Sequence, residues 1–294
     1  SLIFGTIEFL RGSIFTGFPW NLIVYSFSNY IEILNITSII GTYSLNLFCI
    51  SLFTSPSIFI FRDDKKEILI CILFLIITLS FYVFGSQKIE KFHDIEVYKH
   101  DYKIRVISSK ISIERFYNEI DPVEVIEDLI KISSPQKNER IIFIWPEGIL
   151  PEISKDQLQE YKWLFDNEFN ENHLLAIGIN DVIEQDRVKK YFNSFSIYDH
   201  NLEIINSYKK VNLVPFGEFL PFEKILRQIG LKNITNNYQS YSRGEKRNII
   251  EINKFNLSIK LLPIICYEII YSGNIFDDRN FDFIINISED GWFG

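Results

Sequence analysis

Residues 140–148 read Arg-Ile-Ile-Phe-Ile-Trp-Pro-Glu-Gly. An unbroken run of β-branched and aromatic residues between a charge and a proline spells a strand buried on both faces. Such a strand needs cover on each side, and the surrounding sequence offers it. Lys103–Ser108 alternates as a strand. Ile113–Ile132 has helical spacing, with Phe116, Ile120, Val125, Leu129 and Ile130 apolar, and Gln157–Phe169 also reads as helix. Leu174–Ile179, Phe192–Tyr198, Glu203–Tyr208, Ile249–Ile252, Leu257–Cys266 and Phe281–Ile287 read as further strands. The expectation is an α/β domain over residues 100–294, with helices covering its sheets and functional residues at strand ends.

The N-terminal part is different. Residues 1–61 carry only Glu8, Arg11 and Glu32, and residues 68–87 carry no charge. A bilayer takes about 20 apolar residues. We therefore expect membrane helices over residues 1–90, with crossings near 1–12, 36–61 and 67–86. Residues 13–32, with Trp20 and Tyr25, suit an interfacial connection. Arg62, Lys65 and Lys66 in the short loop between two crossings favour the cytoplasmic side, which would place the large domain on the opposite side. The chain contains no methionine, opens inside an apolar run and stops just after Trp292-Phe-Gly294, so we expect a piece of a longer protein lacking both termini.

Composition removes several classes. The 294 residues hold 38 Asp+Glu against 30 Lys+Arg, a net charge of −8, which argues against a nucleic-acid partner. With 47% hydrophobic residues, disorder is not expected. Three cysteines, Cys49, Cys71 and Cys266, make no disulfide scaffold. No phosphate-cradling glycine motif and no metal-ligand spacing is present.

Four stretches are richer in ionisable and aromatic residues than core strands need. Trp145-Pro-Glu147-Gly places a carboxylate at the end of a buried strand, where it is partly desolvated and suited to take a proton. Tyr208-Lys-Lys210-Val-Asn-Leu-Val-Pro-Phe216-Gly-Glu218-Phe-Leu-Pro221 can hold the Lys210 ammonium in a dry cleft, with Glu218 fixing it, to stabilise an oxyanion. Pro263-Ile-Ile-Cys266-Tyr267-Glu268 puts a cysteine at the end of an apolar strand, opening a turn or helix, as an activated nucleophile stands, and a helix N-terminus there would lower the thiol pKa. Asn286-Ile-Ser-Glu-Asp-Gly-Trp292-Phe-Gly294 suits the wall of a pocket. Each has a bland counterpart: a loop carboxylate, a solvated basic pair, a small buried hydrophobe, a turn. The four histidines lie outside all of them, which weakens a Cys-His arrangement and leaves Glu147 as the base for Cys266.

Together these stretches resemble the Glu-Lys-Cys triad of the nitrilase (carbon–nitrogen hydrolase) superfamily. Glu8-Phe-Leu-Arg-Gly-Ser-Ile-Phe-Thr-Gly-Phe-Pro-Trp20, the Lys210–Pro221 run, Ile265-Cys-Tyr-Glu-Ile269 and Asn286-x-Ser-x-Asp-x-Trp-Phe-Gly294 are similar to the apolipoprotein N-acyltransferase family within it. The resemblance runs in order along nearly the whole chain. It implies an αββα nitrilase-like sandwich, incomplete at its C-terminal end, preceded by transmembrane helices in a bacterial inner membrane, with the catalytic domain periplasmic. It implies N-acylation of the N-terminal diacylglyceryl-cysteine of an apolipoprotein, with a phospholipid, phosphatidylethanolamine by family expectation, as acyl donor. A Cys thioester is the expected intermediate, and no cofactor is implied. Cys266 would be nucleophile, Glu147 general base and Lys210 oxyanion stabiliser. Glu218, Tyr267 and Glu268 would support them, and Trp145, Phe216 and Trp292 are candidates for the substrate pocket. The chain departs from the family pattern at Arg115 and Phe116, where the family has lysine and tryptophan, and at Glu289 and Gly291, where it has asparagine and alanine. Two alternatives share the triad: a membrane-tethered amidase using water as acceptor, and an inactive truncated product.

Overall fold

The computed structural model describes residues 1–14, 17, 19–61, 67–93, 101–109, 120–185, 187–222, 240–254, 257–271, 275 and 280–289. Trp292, Arg115, Phe116, Gly291 and the loop residues Arg62, Lys65 and Lys66 lie outside them. The chain divides into two compact units, Ser1–Lys99 with Ile270–Gly273, and His100–Ile269 with Asn274–Gly294.

The first unit is helical: α1 (Leu2–Arg11), a 3-10 turn (Ile23–Phe27), α2 (Ile31–Leu34), α3 (Thr37–Ile40), α4 (Thr42–Thr54), α5 (Ile58–Phe61) and α6 (Glu67–His93). Among the described residues, two helices are long and apolar enough to cross a membrane, Thr42–Ile60 and Ile68–His93. Within the expected 36–61 segment the long helix starts at Thr42, because Gly41, with φ +79°, separates it from α3. The expected 67–86 segment runs on to His93, and 27 residues at about 1.5 Å each span roughly 40 Å. Leu69, Ile72, Leu73, Leu75, Ile76 and Leu79 of α6 are exposed, which suits an apolar surround rather than water. The segment expected to end a further crossing is the ten-residue α1. Helices pack through small residues: a Cβ on Gly85 of α6 would lie 1.8 Å from the Glu32 carbonyl oxygen of α2. The expected interfacial stretch is tied in by the Val24 N–H, which donates to buried Asn46 Oδ1 at 3.0 Å.

The second unit is mixed α/β. One sheet has the order β1 (Lys103–Val106), β2 (Ile141–Ser154), β3 (His173–Gln185), β4 (Val188–Asp199), β5 (Ile204–Lys209). β1, β2 and β3 are parallel, while β4 and β5 are antiparallel to their neighbours. The other sheet is β6 (Ile250–Lys254), β7 (Leu257–Ile265) and β8 (Phe283–Ile287), with β7 and β8 parallel.

Alternation along β2 explains the layering. Ile141, Phe143 and Trp145 join a core with Val125, Ile126 and Leu129 of the helix α7 (Pro122–Ser133), with Leu158 of the 3-10 turn Gln157–Tyr161 and with Phe165 of α8 (Lys162–Phe165). Ile142 and Ile144 face the other way, into a core shared with Ile259, Leu261 and Ile265 of β7 and Ile285 and Ile287 of β8. The larger sheet thus has a helix on one face and the second sheet on the other.

α7 begins later than the helical spacing suggests. Ile120 is not helical, Asp121 caps the helix by accepting the Val123 N–H at 2.9 Å, and Pro122 takes the first turn, where its missing N–H costs nothing. The strand at 140–145 does not end there. β2 continues to Ser154 through a bulge: between the pairs Trp145–Ile177 and Leu150–Ile179 it advances five residues while β3 advances two. Glu147 stands in that bulge rather than in a loop beyond the strand.

Candidate active site

The side chains singled out from sequence come from different elements of the second unit, mostly at strand ends. Glu147 stands in the β2 bulge, where Gly148 has φ +56°. Gly178 of β3 lets the bulge lie close, since a Cβ there would sit 2.5 Å from the Pro146 carbonyl oxygen and 2.6 Å from Glu147 Cα. Lys210 is the first residue after β5, and Cys266 the first after β7. Cys266 opens a short 3-10 turn, Cys266–Ile270, with φ +53°, a left-handed conformation that costs a non-glycine residue about 1–2 kcal/mol.

Lys210 is the centre of the arrangement. Its side chain is 1% exposed, and its ammonium donates to Glu147 Oε1 at 3.3 Å and Glu218 Oε1 at 3.0 Å. Glu218 is held in turn by the Val214 N–H, which donates to Oε2 at 2.9 Å. The Glu289 N–H donates to Glu147 Oε2 at 3.2 Å, and the Ser288 hydroxyl lies 3.7 Å from Cys266 Sγ. Burial opposes charge on Lys210, but the Glu147 and Glu218 carboxylates overcome it and raise its pKa, so the ammonium stays charged.

The thiol behaves differently from the sequence expectation. A helix N-terminus was expected to lower its pKa, yet burial first, and the Glu147 carboxylate second, push Cys266 up to about 12. Lys210 and the Ser288 hydroxyl pull the other way without prevailing. A short 3-10 turn supplies too small a dipole to offset desolvation. At neutral pH such a thiol is protonated.

Glu268 is fully buried. Its Oε1 accepts the Val211 N–H at 3.0 Å, the Asn212 N–H at 2.9 Å and Arg247 Nη2 at 2.9 Å. Its Oε2 accepts the Ile265 N–H at 2.9 Å, and the Tyr208 hydroxyl reaches both oxygens. One carboxylate therefore ties the chain just before Cys266 to the chain just after Lys210. Burial, then the Glu268 carboxylate, hold the Tyr208 hydroxyl far above its usual pKa. Burial disfavours charge on Arg247, but Glu268 outweighs it.

Tyr267 is buried beside the cysteine. Phe216 stands in a turn with φ +62° and is 52% exposed. Trp145 is not brought to the site. It is fully buried on the α7 side of the sheet, its indole N–H donating to Ser133 Oγ at 3.0 Å and its ring against Phe165. Strand alternation sends Trp145 and Ile144 to opposite faces. Two residues at the site escaped the sequence reading. Asn193, on β4, donates to Glu147 Oε1 at 2.6 Å and to Glu218 Oε1 at 2.8 Å. Arg247 lies on a stretch with no motif. Asn193-Ser-Phe-Ser reads as an ordinary alternating strand, and its one signal is a buried-face polar residue. Among the described residues, no group of three or more His, Cys, Asp and Glu is placed to hold a metal ion.

Residues 1–53 match the family described as apolipoprotein N-acyltransferase N-terminal domain. Proteins named apolipoprotein N-acyltransferase align with nearly the whole chain. The one from Rhizobium leguminosarum bv. trifolii is 28% identical over 302 residues, covering 99% of this chain and 55% of that protein. The one from Bradyrhizobium diazoefficiens is 26% identical over 305 residues, covering 98% of this chain and 55% of that protein. The chain is thus a sequence relative of the apolipoprotein N-acyltransferases, and it spans about half the length of the curated relatives it matches. Among solved structures, an amidase of the nitrilase superfamily from Nesterenkonia AN1 is 14% identical, covers 63% of this chain and 64% of that one, and has a TM-score of 0.36. A glutamine-dependent NAD+ synthetase from Acinetobacter baumannii is 13% identical, covers 57% of this chain and 29% of that one, and has a TM-score of 0.37.

Proposed function

We propose that this chain carries the catalytic machinery of a phospholipid-dependent apolipoprotein N-acyltransferase. In this reading residues 1–90 are membrane helices of a multi-pass inner-membrane protein. Residues 100–294 are a periplasmic αββα nitrilase-like domain. The observation that carries the reading is the buried Lys210 ammonium, shared by Glu147 and Glu218 in the same electrostatic cluster as Cys266. Sequence similarity over nearly the whole chain supplies the substrate class.

The residues divide the work as follows. Glu147 takes the proton from the Cys266 thiol, whose high pKa makes a built-in base necessary. The sulfur attacks the acyl ester carbonyl of a phospholipid, phosphatidylethanolamine by family expectation. Two N–H groups of Lys210 are engaged by carboxylates, and among the described residues the third is open to the developing oxyanion. The ester C–O bond breaks, Glu147 returns its proton to the lysophospholipid, and a thioester remains on Cys266. The α-amine of a diacylglyceryl-cysteine then attacks the thioester. Glu147 takes the amine's proton and passes it to the departing sulfur. Glu218 holds Lys210 in place, Glu268 sets the cysteine turn against the lysine segment, and Tyr267 and Phe216 stand near the acyl path.

An intact-mass measurement on the full chain in detergent, with and without phosphatidylethanolamine, tests this. The expected result is one added acyl chain, removed by hydroxylamine and absent in Cys266→Ser. No adduct on this chain or on a form extended to the relatives' length would overturn the phospholipid reading, and turnover of a short amide in its place would establish an amidase.

A further inference from the structure

Around Lys210, two carboxylates share one cation. Glu147 Oε1 and Glu218 Oε1 each accept from the Lys210 ammonium, and each also accepts from the side-chain amide of Asn193, at 2.6 Å and 2.8 Å. The four groups close a ring in which both N–H bonds of one neutral amide are spent on two anions. Asn193 is buried, and its backbone carbonyl accepts the Lys210 N–H at 2.9 Å, so β4 is pinned to the lysine at main-chain level as well. With two carboxylates and one ammonium, the ring carries a net charge of −1. Two half-buried carboxylates this close repel one another, and the donors shared between them offset that repulsion. A second lysine in this place would also hold them, but it would cancel the negative charge and favour a resting thiolate.

We infer that Asn193 is a positioning residue for proton transfer: it donates to Glu147 and anchors it by Oε1, so that Oε2 is the oxygen that takes the Cys266 proton. Oε2 receives the Glu289 N–H at 3.2 Å, and a carboxylate oxygen has a second lone pair to offer. In the step, the S–H bond of Cys266 breaks and an O–H bond forms at Oε2. The negative charge moves to sulfur, while Asn193 and Lys210 stay bonded to Oε1. The groups facing Asn193 are Glu147 from the β2 bulge, Lys210 after β5 and Glu218 from the following turn, and Cys266 after β7 interacts with those three. Beside it, Asn180 of β3 accepts from the Tyr241 hydroxyl at 2.9 Å. The inference rests on the reading of Glu147 as the base for Cys266.

The test is the alkylation rate of Cys266 by iodoacetamide in the full chain in detergent, followed peptide by peptide from pH 4.5 to 9. Glu147→Gln and Cys266→Ser define the background. In the parent chain the rate rises along an acid limb that Glu147→Gln abolishes. In Asn193→Leu, which loses both N–H donors, the limb moves up by about 1 pH unit, and in Asn193→Asp, which adds a third carboxylate, it moves further. Asn193→Asp keeps the side-chain shape and supplies the readout where the leucine variant does not fold. A uniform fall in rate with an unmoved limb would overturn the inference and leave Asn193 merely structural. A parent limb that survives Glu147→Gln would overturn the reading of the base itself.

Discussion

Adding one methyl group to Gly178 is the sharpest perturbation of the site's geometry. The residue touches neither Cys266 nor Lys210. Its importance comes from the bulge in β2, which presses main-chain atoms against the place where a Cβ would stand. In Gly178→Ala that carbon would sit 2.5 Å from the Pro146 carbonyl oxygen and 2.6 Å from Glu147 Cα, with Ile287 Cδ1 at 2.8 Å. The isoleucine tip can rotate away, but the two backbone atoms cannot. Ordinary contact begins at 3.4 Å, so the bulge must retreat by about 0.8–0.9 Å. Overpacking of this kind costs about 1–3 kcal/mol in stability. The displacement falls on Glu147 itself, and a misplacement near 1 Å costs on the order of a hundredfold in a reaction that depends on alignment. The expected result is a folded chain whose initial rate of Cys266 acylation by phosphatidylethanolamine falls roughly a hundredfold. The assay is time-resolved intact mass, with circular dichroism to confirm the fold. A folded variant acylated within twofold of the parent rate would refute the claim that the bulge positions the base.

Glu268→Gln leaves the Arg247 guanidinium buried beside a neutral amide, and breaking a buried pair costs about 3–5 kcal/mol. A chemical-denaturation midpoint should fall accordingly, and one unchanged would show that the clamp contributes little. Trp145→Phe removes the indole bond to Ser133 and part of the ring packed on Phe165, so stability should fall by about 1–3 kcal/mol while the pH profile of Cys266 alkylation stays put. A shifted profile would return Trp145 to the pocket.

Much of this protein is legible in its local sequence. The run Ile141–Trp145 reads as a strand covered on both faces, because it is short, β-branched and aromatic throughout, and stopped by Pro146. The uncharged stretches around α4 and α6 declare themselves by length. Glu147, Lys210, Glu218 and Cys266 could be picked out because they stand in stretches richer in ionisable and aromatic residues than a core strand needs, whereas Glu268 is marked only by the family resemblance. Tertiary structure decided the rest. Whether Trp145 faced the site or the helix depended on which face of β2 met which layer, and adjacent residues on a strand point opposite ways. The bulge at Glu147 comes from the register of β2 against β3, which no window along β2 contains. The pKa of Cys266 follows from burial and from carboxylates distant in sequence, and these outweigh the turn it opens. Asn193 and Arg247 have nothing unusual beside them in the chain. Their partners lie 21 to 46 residues away, and only the folded sheets bring those charges within reach. Residue type and spacing name the groups able to do chemistry, while pairing and protonation depend on distances that only long-range packing sets.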